Sequence, residues 1–295
     1  MSGLVEARPR PGLRRLAAVP PIWLVLAALL VVVVWRDPTF AQPASLLAFL
    51  KRCAPLLVLA LGQLFVIVGG EFDLSVGALV GLTNGLVTTL LRVPSFITTL
   101  GSMLVLNGAV FLWTGGAPTG ALADNLRVLG RSGMTGVPVV GQLPWAVPVL
   151  VVVVTGATLL LHHTRFGDQV FAVGGGPRAA MLSGVDVWRI RTATFVLSGL
   201  SAVLAGILLA GFAGLSADAG SGYEFQAITA VVLAGAVLGG GRGTTVATVG
   251  GVLTLQALFI LLNLLGFAKP LRDSAEGVLV IAAGAYTAYR ARRSG

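Results

Sequence analysis

The sequence predicts an all-α polytopic membrane protein with about eight or nine transmembrane helices. Hydrophobic residues make up 56% of the chain and charged residues only 11%, and the mean hydropathy is +0.94. That composition is typical of membrane proteins and not of soluble domains. Apolar segments long enough to cross a bilayer recur along the chain. Arginine clusters flank these segments, so the net charge of +9 indicates membrane topology and not nucleic-acid binding.

Nine apolar windows predict the membrane spans, in a single transmembrane domain over residues 20–289. They lie near residues 20–35, 54–69, 74–91, 95–113, 145–161, 193–213, 224–240, 244–266 and 275–289. We expect a cytoplasmic basic amino terminus over 1–19, a cytoplasmic loop over 162–192 and a cytoplasmic basic tail over 290–295. The arginine-rich start leads into a retained first span and not a cleaved signal, because many further spans follow.

The number of spans predicted before loop 162–192 conflicts with the predicted cytoplasmic placement of both the amino terminus and this loop. The last four spans agree with the positive-inside rule, since they place Arg242 and the tail inside and residues 269–273 outside. The first five cannot connect an inside amino terminus to an inside loop. Either one segment is re-entrant or the chain lacks a span. The Gly/Pro-rich segment 114–144 is predicted to be an external loop.

An acidic turn interrupts the apolar run from residue 55 to 91. A straight helix over that run would be roughly 55 Å long, against about 30 Å of bilayer hydrocarbon, so Gly69 and Gly70 predict a break. The turn carries Glu71 and Asp73, and acids close to membrane depth are functional by default. A solvated turn in which Asp73 caps a helix beginning at Leu74 explains them equally well. Both interpretations stay open here.

The predicted cytoplasmic loop contains a short amphipathic helix. The glycines at 174–176 end any preceding structure, Pro177 suits a first helical turn, and residues 178–183 form a helix that Gly184 ends. Such a helix on the membrane surface can receive force from a partner protein. Periodicity alone favours a plainer alternative, an interfacial helix anchored by Phe166, Phe171 and Trp188.

The residue types that carry covalent or metal chemistry are scarce. Cys53 is the only cysteine, so the chain forms no internal disulfide. His162 and His163 are the only histidines, and with few acids near them we expect no metal site. Neither lysine lies in a phosphate-binding loop. We therefore expect no enzyme activity and no cofactor in this chain.

Several motifs occur in an order that identifies a family. The string Gly-Asp-Gln-Val-Phe-Ala-Val-Gly-Gly-Gly-Pro-Arg-Ala-Ala-Met-Leu-Ser-Gly-Val occupies residues 167–185. Others are Gly-Glu-Phe-Asp-Leu-Ser-Val-Gly at 70–77, Pro-Ser-Phe-Ile-Thr-Thr-Leu-Gly at 94–101, Gly-Ser-Gly-Tyr-Glu-Phe-Gln-Ala-Ile-Thr-Ala-Val-Val at 220–232 and Gly-Gly-Gly-Arg-Gly at 239–243. Together they resemble permease subunits of bacterial ribose-type ABC sugar importers, in the branched-chain amino acid/ribose/xylose permease superfamily. The resemblance covers roughly residues 36–289.

This resemblance implies a function and a set of partners. The chain would be the permease subunit of an ATP-binding cassette importer that carries a monosaccharide, ribose- or xylose-like, across the bacterial plasma (inner) membrane. Its partners would be a second permease copy or paralogue, two ATP-binding cassette domains that bind ATP and magnesium, and an extracytoplasmic sugar-binding protein. Membrane lipid surrounds such a subunit, and nucleic acid is not a partner. Both termini are predicted to be cytoplasmic.

The resemblance also implies two groups of site residues. The ATPase-coupling loop would comprise Gly174, Gly175, Gly176, Pro177, Arg178, Ala179, Ala180, Ser183 and Gly184. The candidate pathway or gating residues are Glu71, Asp73, Ser75, Tyr223 and Glu224. A tyrosine and acids can stack on a polyol and form hydrogen bonds with it, whereas a glycine turn with Glu224 at a helix start is the plainer explanation of the last two.

The chain departs from the family pattern between Gly77 and Asn84. Family members normally complete one span and enter another between these two motifs, so roughly thirty residues, enough for a span and a short loop, are absent. The absence accounts for the odd number of predicted spans. It leaves two alternatives open: a shortened permease that does not transport, and a proton-coupled secondary carrier that uses Glu71 or Asp73.

Overall fold

The computed structural model describes residues 20–75, 84, 87–88, 93–116, 123–137, 141–214 and 220–268, and shorter pieces at 270–271, 274–275, 277–279, 281–282 and 284–285. Within them the chain is helical, which confirms the predicted all-α class. The α-helices with defined bounds are α1 Pro21–Arg36, α2 Pro43–Val68, α3 Ser95–Thr114, α4 Asp124–Arg131, α5 Ala146–His162, α6 Arg165–Gly175, α7 Pro177–Leu182, α8 Val187–Ala213, α9 Tyr223–Leu233 and α10 Thr245–Leu264. A 3₁₀ turn, Pro38–Ala41, joins α1 to α2.

Most predicted spans coincide with one of these helices. The helices α2, α3, α8 and α10 are long and apolar enough to cross a membrane, and α5 passes the same test together with α6, from which it is bent by 66°. Helices α1 and α9 are apolar but shorter. The predicted span 74–91 lies mostly outside the described residues, and the span 275–289 lies only partly within them.

Four predictions about helices and loops were wrong, and the first is the start of α8, which begins at Val187 and not near residue 193. Helix α2 begins at Pro43 and not near residue 54, because Lys51 and Arg52 lie within it and long basic side chains can reach away from apolar surroundings. Helix α9 ends at Leu233 and not at residue 240, since Gly235 takes a positive φ of 92° soon afterwards. The predicted loop 114–144 contains α4 and a hairpin in which strand β1, Gly133–Val137, pairs antiparallel with strand β2, Gly141–Pro144.

Helix α2 is the centre of the bundle. Every residue from Cys53 to Val68 is buried, and the helix packs against α5, α8, α9 and α10. A helix that is apolar all round occupies a core position. Gly62 permits the close approach of α8, because a Cβ atom there would lie 2.6 Å from the Cβ of Ser201. Small residues at helix contacts are the usual basis of packing in membranes.

The bundle has two ends, which α2 connects. At one end, which we call the junction end, the Val68 carbonyl accepts a hydrogen bond from the Gly241 amide at 2.8 Å. At the far end, the Lys51 ammonium donates to the Arg131 carbonyl at 3.0 Å and lies 5.9 Å from the ring centroid of Phe212. The far end therefore brings together α2, the end of α4 and the end of α8. The rise of a helix separates Lys51 from Val68 by about 26 Å.

The direction of the early helices explains the odd number of predicted spans. The Phe72 amide donates to Ser95 Oγ at 3.1 Å. Residues 72 and 95, which flank segment 76–92, therefore lie at the same end of the bundle. The Thr245 amide donates to His162 Nε2 at 3.3 Å, which places the end of α5 beside the start of α10 at the junction end. Helices α1, α2, α3 and α5 therefore alternate in direction. Apart from the short α4, four described helices thus precede loop 162–192, which is an even number.

Candidate functional site

The predicted helix in the cytoplasmic loop is present as α7. It begins at Pro177 and ends at Leu182, with Ser183 as its C-cap, and the following Gly184 has a positive φ of 85°. The preceding helix α6 begins after Thr164, whose hydroxyl oxygen accepts from the Gly167 amide. The prediction that all three glycines stop this helix was wrong. Gly174 and Gly175 belong to α6, and the break comes at Gly176.

A contact that we call the glycine junction joins α6 to the end of α2. It consists of residues 68–70, Gly174 and residues 240–241. A Cβ atom on Gly174 would overlap the Val68 carbonyl and lie 2.5 Å from the Gly241 nitrogen, and one on Gly240 would lie 2.8 Å from Gly70 Cα. Only residues without a Cβ permit backbones to approach this closely. Helix α6 is thus packed directly on the end of α2.

Helix α7 presents apolar side chains to its surroundings. Met181 is 61% exposed and Leu182 is 85% exposed, whereas Ala180 is buried. Two of the three proposed membrane anchors face inward: the rings of Phe166 and Phe65 lie 6.3 Å apart, and those of Phe171 and His162 lie 5.9 Å apart. This packing counts against a plain interfacial helix anchored by its aromatic residues. Within helices α6 and α7, the exposed large apolar side chains are those of Met181 and Leu182.

The acidic turn lies inside the protein. Residues 71–75 are neither helical nor exposed. The Glu71 carboxylate pairs with Arg191 Nη1 at 2.8 Å, and Asp73 is 1% exposed. Asp73 Oδ1 accepts from the Ser75 amide at 3.0 Å and from Ser75 Oγ at 2.7 Å. The turn is therefore buried and not solvated, while the helix that Asp73 was predicted to cap lies mostly outside the described residues.

A polar chain extends from this turn to α3, and it comprises Asp73, Ser75, Asn84 and Ser102. Asn84 Nδ2 donates to Ser75 Oγ at 2.7 Å, and Ser102 Oγ donates to Asn84 Oδ1 at 2.8 Å. Within the described residues, Asp73 Oδ2 is buried without a hydrogen-bond partner. Sequence reasoning did not select Asn84 or Ser102. The available signal was an amide within an apolar segment, which needs partners when it is buried.

A cavity of about 460 Å³ lies between α2, α3, α8 and the start of α9. Its floor is formed by buried residues that include Leu59, Leu74 and Ser75. Exposed residues, among them Asn107 and Ser221, surround its mouth towards the far end. The volume lies within the range of about 300–1,000 Å³ that is usual for small-molecule sites. The described floor residues are thus largely shielded from solvent.

The cavity gathers some of the predicted pathway residues and not others. Ser75, Tyr223 and Glu224 line it, while Glu71 and Asp73 are not among its described lining residues. Glu224 lies in the first turn of α9, as expected for an acid at a helix start, and it faces the cavity as well. Sequence reasoning missed Asn107 and Ser221. Asn107 was the one amide within the apolar window at 95–113, which was the signal to follow.

The chemistry of the cavity is that of a binding site. Hydroxyl, amide and carboxylate groups converge on a space whose walls include leucine, methionine and phenylalanine side chains. A few placed polar groups in an apolar pocket fix the orientation of a small ligand. Within the described part of the chain, no three His, Cys, Asp or Glu side chains meet as a possible metal site.

Comparison with known proteins assigns the chain to a family. The family model described as "Branched-chain amino acid transport system / permease component" matches residues 76–284. The ribose import permease protein of Bacillus subtilis (strain 168) is 34% identical in an alignment 295 positions long, gaps included, which covers 88% of this chain and 90% of that protein. No solved structure matches this chain.

Two further relatives agree. The ribose import permease protein of Escherichia coli (strain K12) is 32% identical, covering 88% of this chain and 90% of the relative. The autoinducer 2 import system permease protein of Klebsiella pneumoniae is 31% identical, covering 88% and 83%. With the helical bundle and its apolar spans, these matches confirm the resemblance: the chain belongs to the permease component family of branched-chain amino acid transport systems and is a polytopic all-α membrane permease.

Proposed function

We propose that this chain is the transmembrane permease subunit of an ATP-binding cassette importer for a monosaccharide, ribose- or xylose-like. The observation that carries the proposal is the arrangement of the bundle. A cavity with sugar-compatible groups opens towards the far end, and an exposed helix pair lies at the junction end. Relatives named as ribose import permeases support the substrate class.

The exposed face of α7 is the proposed contact for separate ATPase subunits. Met181 and Leu182 project from it, and Arg178 and Ser183 are exposed beside them. An apolar centre with a polar rim is the usual anatomy of a protein interface. Two ATP-binding cassette domains would bind the ATP and magnesium. A second permease copy or paralogue would complete the membrane part.

Force on α7 has a short path to the cavity floor. Helix α6 comes directly before α7, and its Gly174 packs on residues 68–70 in the glycine junction. The next residues form the turn that ends at Ser75, which lies in the floor. The ion pair between Glu71 and Arg191 ties that turn to the start of α8. A displacement of α6 would therefore move the floor, as alternating access requires.

The direction of transport and the membrane follow from the same orientation. With the basic loop 162–192 in the cytoplasm, the cavity opens outward and can receive a sugar from an extracytoplasmic binding protein. We propose on this basis that the chain is a multi-pass protein of the bacterial plasma membrane with both termini in the cytoplasm.

The two alternatives, a proton-coupled secondary carrier and a shortened permease that does not transport, are less well supported. A proton relay needs a carboxylate that exchanges protons, whereas Glu71 is paired with Arg191 at 2.8 Å. A shortened, inactive permease is favoured by one observation. The alignment with the Bacillus subtilis relative is 295 residues long yet includes only 88% of this chain, so it has positions at which this chain has no residue. The retained cavity supports transport.

Uptake measurements test the proposal. Cells that carry the permease with its candidate ATPase and binding protein are given labelled ribose, xylose and galactose, and each component is omitted in turn. We expect uptake of one sugar that requires all three components. Uptake by the permease alone would overturn the importer in favour of a carrier. Assembly of the complex without uptake of any sugar would favour the inactive permease.

Replacing Leu182 with alanine should reduce co-purification of the ATPase about tenfold or more, because a central apolar side chain at an interface typically contributes over 1.4 kcal/mol. Pull-down of the ATPase by tagged permease measures this loss. The matched control is Leu112→Ala, since Leu112 is 84% exposed on α3, away from α7. Equal ATPase recovery with both variants would remove α7 from the interface.

A further inference from the structure

We propose that His162 is a positioning residue whose neutral imidazole fixes α6 beside the start of α10, and that protonation of this ring loosens α6. The hydrogen bond that carries the proposal joins the Thr245 amide to His162 Nε2 at 3.3 Å. Where it concerns transport, the proposal rests on the proposed function, because it makes the path from α7 into the bundle sensitive to the pH of the cytoplasm.

The His162 ring acts as an acceptor in this bond. A backbone amide can only donate, so Nε2 offers its lone pair and the hydrogen of the neutral ring lies on Nδ1. A second proton would occupy that lone pair, and two donors would then face each other. The bond therefore exists only while His162 is neutral.

The Thr245 amide lies in the first turn of α10, whose leading amides have no partner within the helix. Thr244 Oγ1 accepts from the Ala247 amide at 3.2 Å, and His162 adds a second acceptor from another helix. The amino terminus of a helix also carries partial positive charge. A protonated His162 would thus lose its bond and be repelled by the end of α10.

The side chain of Thr245 keeps the start of α10 beside α5 in either charge state. Thr158 donates its hydroxyl hydrogen to the Val154 carbonyl at 2.7 Å. The Thr245 hydroxyl, which lies 2.9 Å from Thr158 Oγ1, is therefore the donor between these two groups. Thr245 is fully buried. When His162 is charged, the group that moves is the His162 ring and not the start of α10.

The His162 ring also packs on α6. Its centroid lies 5.9 Å from that of Phe171, at a position on α6 between the 66° bend after α5 and the glycine junction at Gly174. A displaced His162 ring leaves Phe171 without this neighbour. Protonation at the start of α10 therefore reaches α6, which leads directly to α7.

The other charged and titratable groups near His162 are exposed or paired. On the helices that His162 contacts and in the turn before α10, they are His163, Arg165, Asp168 and Arg242, and all four are exposed. Helix α10 itself contains no charged residue. In the turn after α2, Glu71 is paired with Arg191. Among these described groups, His162 is thus the one that titrates while bonded to α10.

Hydrogen exchange of the purified full-length permease in lipid nanodiscs, without partners, tests the contact. Mass spectrometry follows the amides of α6 in the unaltered protein and in His162→Gln, whose side-chain oxygen can accept from Thr245 but does not titrate. An imidazole of ordinary pKa, about 6.5, is mostly charged at about pH 5.5, so α6 of the unaltered protein should exchange at least about threefold faster than in the variant at that pH. The two proteins should exchange equally at about pH 7.5. Equal exchange at both pH values would overturn the proposal.

The adjacent histidine provides the matched control. His163 is exposed, and His163→Gln should keep the pH dependence of the unaltered protein. His162→Leu has no acceptor, so its α6 should exchange fast at both pH values. Loss of the pH dependence in His163→Gln, or slow exchange of α6 in His162→Leu at both pH values, would overturn the assignment to His162.

Partner-driven uptake keeps this proposal apart from the proposed function. Proteoliposomes carry the permease with its ATPase and binding protein, and the pH is varied on the ATPase side. The ratio of sugar uptake in His162→Gln to uptake in the unaltered protein should rise at least about threefold from about pH 7.5 to about pH 5.5. A constant ratio would overturn the role of His162 in transport. Failure of uptake in the unaltered system at both pH values, with the exchange difference retained, would overturn the importer alone.

Discussion

Alanine at position 174 is expected to prevent the permease from reaching its folded state. The new Cβ atom would overlap the Val68 carbonyl and lie 2.5 Å from the Gly241 nitrogen. Both neighbours are backbone atoms, so no change of rotamer relieves the clash. Overpacking in a core costs about 1–3 kcal/mol when side chains can move, and we expect at least about 3 kcal/mol here. Thermal unfolding in detergent and sugar uptake measure the loss.

The adjacent residue supplies the control for Gly174. A Cβ atom on Gly175 meets nothing within 4 Å, although Gly175 lies in the same helix. Gly175→Ala should leave uptake unchanged and raise the unfolding temperature slightly, because alanine favours a helix over glycine by about 0.5–1 kcal/mol. Equal stability of the two variants would show that the glycine junction does not restrict α6.

Breaking the buried ion pair is expected to have the second large effect. The side chains of Glu71 and Arg191 are only 9% and 20% exposed, and removing one partner of a buried pair leaves an uncompensated charge at a cost of about 3–5 kcal/mol. Arg191→Met should therefore lower stability strongly. The double variant with Glu71→Gln should recover much of the loss, because no unpaired charge remains. Thermal unfolding of both single variants and the double variant completes the cycle.

A second ion pair on the same helix gives the comparison. Arg189 and Asp186 also pair at 3.0 Å, but their side chains are 77% and 49% exposed. Exposed pairs contribute about 0–1 kcal/mol, so Arg189→Met should change the unfolding temperature little. A large loss for Arg189→Met, or no recovery in the Glu71 and Arg191 double variant, would contradict the difference that burial is expected to make.

Helix positions were the most predictable part of the fold. Apolar windows predicted α1, α3, α5 and α10 to within a few residues, because a lipid environment demands long apolar helices. The start of α2 was missed, since the window scan treats Lys51 and Arg52 as an interruption. Local turn chemistry was also readable: Pro177 and Gly184 bound α7 as expected.

The site was only partly predictable, because its partners are distant in sequence. Sequence motifs pointed to Ser75, Tyr223 and Glu224, and the fold brings them to one cavity. Nothing local indicated that Arg191 would pair with Glu71. Asn107 looked like an isolated polar residue on an apolar helix, and only tertiary packing gives it a cavity to face.

The hydrogen bond between Val68 and Gly241 also determines when the protein can finish assembling. The two residues are separated by more than half of the chain. Ribosomes add about 5–20 residues per second, so the end of α2 is synthesised on the order of ten seconds before its partner. During that interval the Val68 carbonyl lacks the partner that it has in the finished fold. The end of α2 therefore reaches its final hydrogen bonding only after a much later turn has been synthesised.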